Sequence, residues 1–271
     1  MRPRLRCIVV LLAVALATPA LAGKPRHAPG APQEGLGEVA QMCADAEDPS
    51  IVITACDTLL NAESLPPQDR AAALNNRGLA KERQGHLAEA MVDYDKAVET
   101  FPDNLTARLN RGAIYRAHGE FDRAIAEFEE VLARDPMNAM ALNNRCFTRA
   151  MTQQRLDLAL SDCDAALRLA KNDPRMLDSR GFAHLVRGDD AEALNDFDAA
   201  LKVDPGAAHA LYGRGLARID MGDERAGKAD VAEALRLRPG VATDYDRVGL
   251  EPDPRHDPTP ATTTRTPPPH P

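Results

Sequence analysis

The sequence predicts an all-α protein built as a linear array of helix pairs, on three observations. A pattern of small and apolar residues recurs about every 34 residues between positions 71 and 241. Each period holds two amphipathic helical patterns flanking a short turn, such as Gly119-Glu120 within residues 105–138. The chain has no Trp and only 4% aromatic residues, which suits an array with many small contacts and no single large core.

Residues 1–22 have the composition of a secretory signal peptide. Three arginines precede an apolar run at 8–17, and a small-x-small cleavage site ends at Ala22. A membrane anchor is the alternative, but the run is short for the ~30 Å hydrocarbon core of a bilayer. A lipoprotein is disfavoured because Cys7 precedes the apolar run. We therefore expect export to the periplasm or the exterior, without stable membrane insertion after cleavage.

The charge of the chain excludes one class of partner. Removing the three arginines of the signal peptide from 33 basic residues leaves 30 against 41 acidic residues, a net charge of −11. This charge disfavours nucleic acid and anionic membrane surfaces as partners.

The seven His are scattered, and no GxSxG, HExxH or phosphate-loop motif occurs. The sequence therefore predicts no enzyme, no cofactor and no metal site.

The N-terminal part of the mature chain comprises a linker and a capping hairpin. Residues 23–36 are rich in Pro and Gly and are predicted to be flexible. Two short helical patterns follow at 37–66, separated by Asp48-Pro49-Ser50, a turn and N-cap signal. We expect this hairpin to cap the array, because a terminal unit lacks a neighbour on one side.

Five full repeats follow, the third with one extra residue in its turn near Met151 to Leu156. Their predicted bounds are 71–104, 105–138, 139–173, 174–207 and 208–241. Place 8 of a repeat is Gly or Cys and place 20 is Ala or Gly, as expected where two helices cross closely. Pro near the end of most repeats stops the second helix. A short cap helix at 242–250 and a disordered Pro/Thr-rich tail at 251–271 complete the chain.

This unit resembles tetratricopeptide (TPR) repeats, over about 37–250. The second repeat carries the resemblance most clearly, with Gly112, Tyr115, Gly119, Phe121, Ala124, Phe128 and Pro136 at places 8, 11, 15, 17, 20, 24 and 32. The resemblance implies a right-handed superhelix that binds proteins or peptides without catalysis. The cysteine hairpin and the segments NNRC at 143–146 and LYGRG at 211–215 are similar to those of exported TPR proteins of Gram-negative bacteria.

The resemblance also implies a concave binding face, lined by first-helix places 2, 5, 6, 9, 12 and 13. The residues expected there are Asn75, Asn76, Leu79, Glu82, Leu109, Asn110, Arg116, Asn143, Asn144, Phe147, Asp178, Phe182 and Tyr212. The asparagines could bond to the backbone of an extended peptide, and the two Phe could pack its apolar side chains. Alternatively, each Asn is a tolerated surface residue. The Lys/Asn/Arg clamp by which chaperone-binding TPR domains hold a C-terminal carboxylate is not matched.

Four cysteines remain after signal cleavage. An even number in an exported chain suggests disulfides, and four cysteines allow three pairings. In TPR hairpins places 8 and 24 face each other, so the resemblance implies the pairs Cys43–Cys56 and Cys146–Cys163. Buried free thiols are the alternative. A redox or metal role is disfavoured because there is no CxxC motif and no nearby His at ligand spacing.

An Arg at place 7 and an acid at place 23 recur in all five repeats. We infer one structural ion pair within each repeat, the set being Arg77–Asp93, Arg111–Glu127, Arg145–Asp162, Arg180–Asp196 and Arg214–Asp230. Anion recognition by the Arg row is the alternative, disfavoured because matched acids are present. The functional hypothesis is an envelope scaffold that binds a protein or peptide partner. The alternative is a self-associating structural module, and we expect a monomer or weak self-association.

Overall fold

The computed structural model describes residues 36–252, which form thirteen helices and no strand; the predicted all-α class is confirmed. The helices are α1 (Leu36–Asp45), α2 (Pro49–Leu60), α3 (Pro67–Arg83), α4 (Leu87–Thr100), α5 (Leu105–Ala117), α6 (Phe121–Arg134), α7 (Ala139–Met151), α8 (Leu156–Leu169), α9 (Pro174–Arg187), α10 (Asp190–Val203), α11 (Ala208–Asp220), α12 (Glu224–Leu237) and α13 (Thr243–Asp246). The predicted signal peptide, nearly all of the linker and most of the tail lie outside the described residues. Within 36–252, no helix combines the length and apolarity needed to cross a bilayer.

The chain divides into two compact units, with the boundary inside α5 between Asn110 and Arg111. In the first unit α1 packs on α2, α2 on α3 and α3 on α4. Asp48 caps α2, its carboxylate accepting from the Ser50 N–H at 2.8 Å. Pro at the first turns of α2 and α3 costs no hydrogen bond, because those N–H groups have no partner within the helix.

In the second unit consecutive helices from α6 to α12 pack on one another. The first helices of the last three repeats, α7, α9 and α11, also contact each other directly, α7 with α9 and α9 with α11. They therefore form one continuous face, which we call the first-helix face of the second unit. The hydrophobic core that packs against this face contains buried residues from Cys146 to Leu250.

The two helices of a pair approach closely because place 8 has no bulky side chain. A Cβ added to Gly112 would lie 2.6 Å from Cε1 of Phe128, and one added to Gly181 would lie 2.9 Å from Cε1 of Phe197. Both rings are fully buried. The aromatic residue at place 24 thus occupies the space that a side chain at place 8 would need.

The turn between α7 and α8 differs from the others. Gly188, in the left-handed region with φ 89°, ends α9 at minimal conformational cost. The longer turn after α7 contains two non-glycine residues in that region instead, Gln153 with φ 54° and Arg155 with φ 52°. The turn spans residues 152–155, where the sequence predicts one extra residue.

The C-terminal helix is shorter than expected at 242–250. A single turn, Thr243–Asp246, is helical. The N–H groups of Val248 and Leu250 then both bond to the carbonyl of Tyr245, and Gly249 takes φ 72°. These bonds fold the chain back on itself, so the segment makes a compact turn where the sequence predicts two helical turns.

Candidate functional site

Asparagines on the first helices of the first unit bond mainly to each other. Asn75, on α3, is 5% exposed, and its Oδ1 accepts from Asn110 Nδ2 at 2.9 Å. Its own Nδ2 donates to Asn76 Oδ1 at 3.3 Å. Asn76 and Asn110 stay half-exposed, as do Leu79 and Leu109. This face therefore offers amide groups that are already oriented and partly accessible.

Glu82, also expected on the binding face, has an internal role. Its Oε2 accepts from the hydroxyl of Tyr94 at 2.9 Å. Burial, together with the Glu82 charge and this hydrogen bond, raises the pKa of Tyr94 well above its usual value near 10. This hydrogen bond joins α3 to α4 beside the fully buried ring of Tyr94.

An aromatic cluster lies at the middle of the first-helix face of the second unit. Phe147 stacks on Phe182 with ring centroids 4.7 Å apart. His209, on α11, lies 5.5 Å from the first ring and 5.6 Å from the second. Asp178 Oδ2 is 2.8 Å from His209 Nδ1, while His209 Nε2 is buried with no hydrogen-bond partner among residues 36–252.

Tyr245, beyond the last repeat, covers this cluster. Its ring centroid is 5.2 Å from Phe182, 4.6 Å from His209 and 4.9 Å from Tyr212. Its hydroxyl donates to the His209 carbonyl at 2.9 Å, and complete burial raises the pKa of Tyr245 well above 10. Phe182 is 0% and Tyr212 is 2% exposed. These two residues, expected to face a partner, are core residues here because the chain itself covers them.

We call residues 241–250 the C-terminal segment; it lies across the first-helix face of the second unit. The Val248 carbonyl accepts from Gln153 Nε2, in the long α7–α8 turn, at 3.0 Å. Arg247 Nη2 donates to the carbonyl of Ala117, the last residue of α5, at 3.3 Å. The large apolar residues of the segment are buried, namely Val241, Tyr245, Val248 and Leu250.

Repeat five has a glycine where the segment lies. A Cβ on Gly213, at place 6, would lie 2.5 Å from the Tyr245 hydroxyl oxygen and 2.3 Å from Cζ of Phe197. The other repeats carry a larger polar residue at this place, namely Asn76, Asn110, Asn144 and Ser179. The glycine makes room for the Phe197 ring and for the Tyr245 hydroxyl.

Arg116 borders the aromatic cluster. Its guanidinium lies 5.1 Å from the Phe147 ring centroid, a cation–π contact, and its Nη1 is 3.5 Å from Asn144 Oδ1. Burial lowers the pKa of Arg116, and the charge of Asp244 in the C-terminal segment opposes that shift. Asn143 is 7% exposed, and its Oδ1 is buried without a hydrogen-bond partner among the described residues.

The cysteines lie within the hairpins as the register places them. The Sγ atoms of Cys43 and Cys56 are 2.08 Å apart, and those of Cys146 and Cys163 are 1.96 Å apart. All four residues are at most 2% exposed. Each pair joins the two helices of one hairpin, and Cys146–Cys163 stands at the places where repeats one, two and four set Gly against an aromatic ring. No group of His, Cys, Asp or Glu within residues 36–252 has the geometry to hold a metal ion.

Every place-7 arginine contacts the place-23 acid of its own repeat. The shortest distances are 2.5 Å for Arg77–Asp93 and Arg111–Glu127, and 2.7 Å for Arg145–Asp162, Arg180–Asp196 and Arg214–Asp230. Four of the five pairs have two parallel N–H···O bonds. The hydrogen bond to the acid of the same repeat is the largest influence raising the pKa of Arg77, Arg180 and Arg214.

A second row of acids, which the sequence analysis missed, extends these pairs between hairpins. Arg180 Nη1 reaches Asp164 of the preceding repeat at 2.8 Å, and Arg214 Nη1 reaches Asp198 at 2.9 Å. Arg77 contacts Asp57 of the capping hairpin in the same way, at 2.5 Å. The sequence contains a signal for these contacts, because an acid recurs at place 25, two residues after the acid at place 23.

Sequence analysis also missed His209 and Tyr245 as members of the face. His209 stands at place 2, one of the six lining places, so the register could have found it. Tyr245 follows the array, and no periodic pattern marks it.

Comparison with known proteins agrees with this architecture. The family model described as "Tetratricopeptide repeat" matches residues 75–139, 109–174 and 180–242. Human "Tetratricopeptide repeat protein 6" is 37% identical over 84 residues, 31% of this chain and 16% of that protein. "Stress-induced-phosphoprotein 1" of Caenorhabditis elegans is 30% identical over 103 residues, 35% of this chain and 31% of that protein. The matches thus span under a third of either relative.

Among solved structures, a tetratricopeptide repeat protein from Parabacteroides merdae superposes with a TM-score of 0.60 at 23% identity. The superposition covers 79% of this chain and 88% of that one. At this identity the likeness concerns the fold alone.

Proposed function

The chain belongs to the tetratricopeptide repeat family, whose members generally mediate protein–protein interactions, and from that premise we propose that it is a non-catalytic scaffold of the cell envelope. It binds a protein or peptide partner through the first-helix faces of its repeats. The first unit offers oriented side-chain amides, and the second unit offers an aromatic site.

The repeated asparagine at place 6 carries this proposal. Asn76, Asn110 and Asn144 occupy the same position in three successive repeats, and each is half-exposed. A side-chain amide both donates and accepts, as does each peptide unit of an extended chain. The Asn76 and Asn110 amides of the first unit therefore suit recognition of a backbone, and Asn144 offers the same group on the second unit.

The cysteine pairs support the proposed location. Disulfides persist in oxidising compartments and are rare in the cytosol. Two pairs at bonding distance, each within one hairpin, agree with the signal peptide that the sequence predicts. We expect the exported chain to begin at Gly23 and, when unfolded without reductant, to show no reactive thiol. Mass spectrometry with and without a thiol label measures both.

Site-specific photo-crosslinking in intact cells tests the binding face. A benzophenone amino acid replaces Asn76 or Asn144 on the first helices, and in a matched control replaces Asn195, which is exposed on the second helix α10. We expect an adduct of discrete mass from either of the first two positions and none from position 195. Adducts formed equally well from position 195 would refute binding at the first-helix face.

A further inference from the structure

The C-terminal segment has the contacts of a bound peptide. Its one helical turn spans four residues, too short to be stable by itself, so the contacts to the repeats hold it in place. Tyr245 fills the aromatic site, Val248 and Leu250 are buried, and Gln153 bonds the Val248 carbonyl. Side-chain pockets combined with a main-chain hydrogen bond are the usual means of peptide recognition.

Two departures from the repeat pattern coincide with this segment. Gly213 replaces the polar residue of place 6 where the Tyr245 ring enters. The lengthened α7–α8 turn presents Gln153 from a left-handed backbone, a conformation that a non-glycine residue adopts at a cost of ~1 kcal/mol. Both features contact residues 245–248, and Gly213 also leaves room for the Phe197 ring of the preceding repeat.

We propose that the C-terminal segment occupies the peptide site of the second unit, and that the natural ligand is a separate peptide of the form Tyr-x-x-Val-x-Leu, or a close aliphatic variant, which displaces it. This proposal rests on the proposed function and adds the ligand chemistry and its regulation. Tyr enters the site formed by Phe182, His209 and Tyr212, and its hydroxyl donates to the His209 carbonyl. The apolar residues take the places of Val248 and Leu250.

Because a ligand peptide must displace the C-terminal segment, it binds more weakly than it would bind to an open site. If the segment covers the site most of the time, the apparent Kd rises by the inverse of the open fraction. Loss of the Tyr245 side chain removes the largest buried group of the segment and should open the site. Of the charged residues of the segment, Asp244 lies near Arg116, whereas Asp246 and Arg247 are exposed.

A peptide-binding assay on the full chain tests the proposal. The probe is a fluorescein-labelled peptide of residues 241–252, and fluorescence anisotropy gives the apparent Kd. We expect Tyr245→Ala to bind it at least about tenfold more tightly than the wild type, while Asp246→Asn, a change at an exposed side chain of the same segment, binds like the wild type. A probe with Ala in place of its Tyr should not bind. Equal binding by the wild type and a helical Tyr245→Ala chain would overturn the proposal.

Hydrogen exchange gives a second readout that needs no variant. Saturating unlabelled peptide should speed exchange of the Val248 and Leu250 amides, both bonded to the Tyr245 carbonyl, and leave the α7 amides unchanged. Unchanged exchange at residues 248–250 would overturn displacement. If crosslinks still form from position 144 in that case, the proposed scaffold function stands, and the proposal that the C-terminal segment occupies the peptide site is wrong. Absence of crosslinks from both first-helix positions would remove the scaffold function itself.

Discussion

Removing the bridge between Cys146 and Cys163 should destabilise the third repeat by about 3 kcal/mol. The two residues are 17 positions apart, and closure of a loop of this length removes ~10 cal/mol/K of entropy from the unfolded chain, or about 3 kcal/mol at 25 °C. The substitution is Cys146→Ala with Cys163→Ala. Both side chains are fully buried, so the smaller alanines add a packing loss in the same direction.

Urea unfolding followed by circular dichroism at 222 nm measures the effect. With a denaturant dependence of about 3 kcal/mol/M, the midpoint falls by about 1 M. Because the stability of a repeat array comes mainly from contacts within a repeat and with the repeats beside it, hydrogen exchange should place the loss in α7 and α8 and leave α3 and α4 protected.

A second double variant separates the effect of the covalent bridge from the effect of side-chain packing at places 8 and 24. Cys146→Gly with Cys163→Phe recreates the arrangement of Gly112 with Phe128 and of Gly181 with Phe197, in which the ring fills the space beside the glycine. We expect it to recover most of the loss. The reasoning is refuted if the alanine variant unfolds at the wild-type urea concentration, or if the unfolded wild type reacts with a thiol reagent in the absence of reductant.

Two further predictions concern charge and pH. Asp162→Asn weakens the contacts of a 7% exposed carboxylate with Arg145 and Arg149 and should lower the free energy of unfolding by about 3 kcal/mol. Glu233→Gln, in an exposed pair with Arg236, is the control and should leave the urea midpoint unchanged. Equal urea midpoints for Asp162→Asn and the wild type would contradict the structural role of the pairs. Burial raises the pKa of Tyr212 to about 12 and that of Tyr245 well above 10, so both phenols stay protonated in the folded chain at pH values where the unfolded chain has lost its protons. Stability should therefore be full below pH 10 and fall as the pH rises through about 12, as followed by phenolate absorbance at 295 nm and by urea midpoints at pH 9 and 11; a midpoint that does not fall over that interval would contradict it.

The arginine rows illustrate how far a recurring pattern can be interpreted. Arg at place 7 and an acid at place 23 indicated contact within a repeat, because the two places recur together. The acid at place 25 recurs nearly as often, as at Asp164 and Asp198, and it joins neighbouring hairpins. The sequence held this second signal, but its meaning depends on which helices of adjacent repeats are neighbours.

The sequence by itself determined the repeating unit. The 34-residue period is visible along the chain. Within each period the small residue at place 8, its partner at place 24 and the turn length involve residues fewer than about 20 positions apart, so a local pattern records them. Only the tertiary structure decided which part of the first-helix face is open. Tyr245 contacts His209 and Phe182, Gln153 bonds Val248 across 95 positions, and Arg247 reaches Ala117 across 130. Such contacts depend on where the stacked repeats bring distant residues, and no periodicity in the chain encodes them.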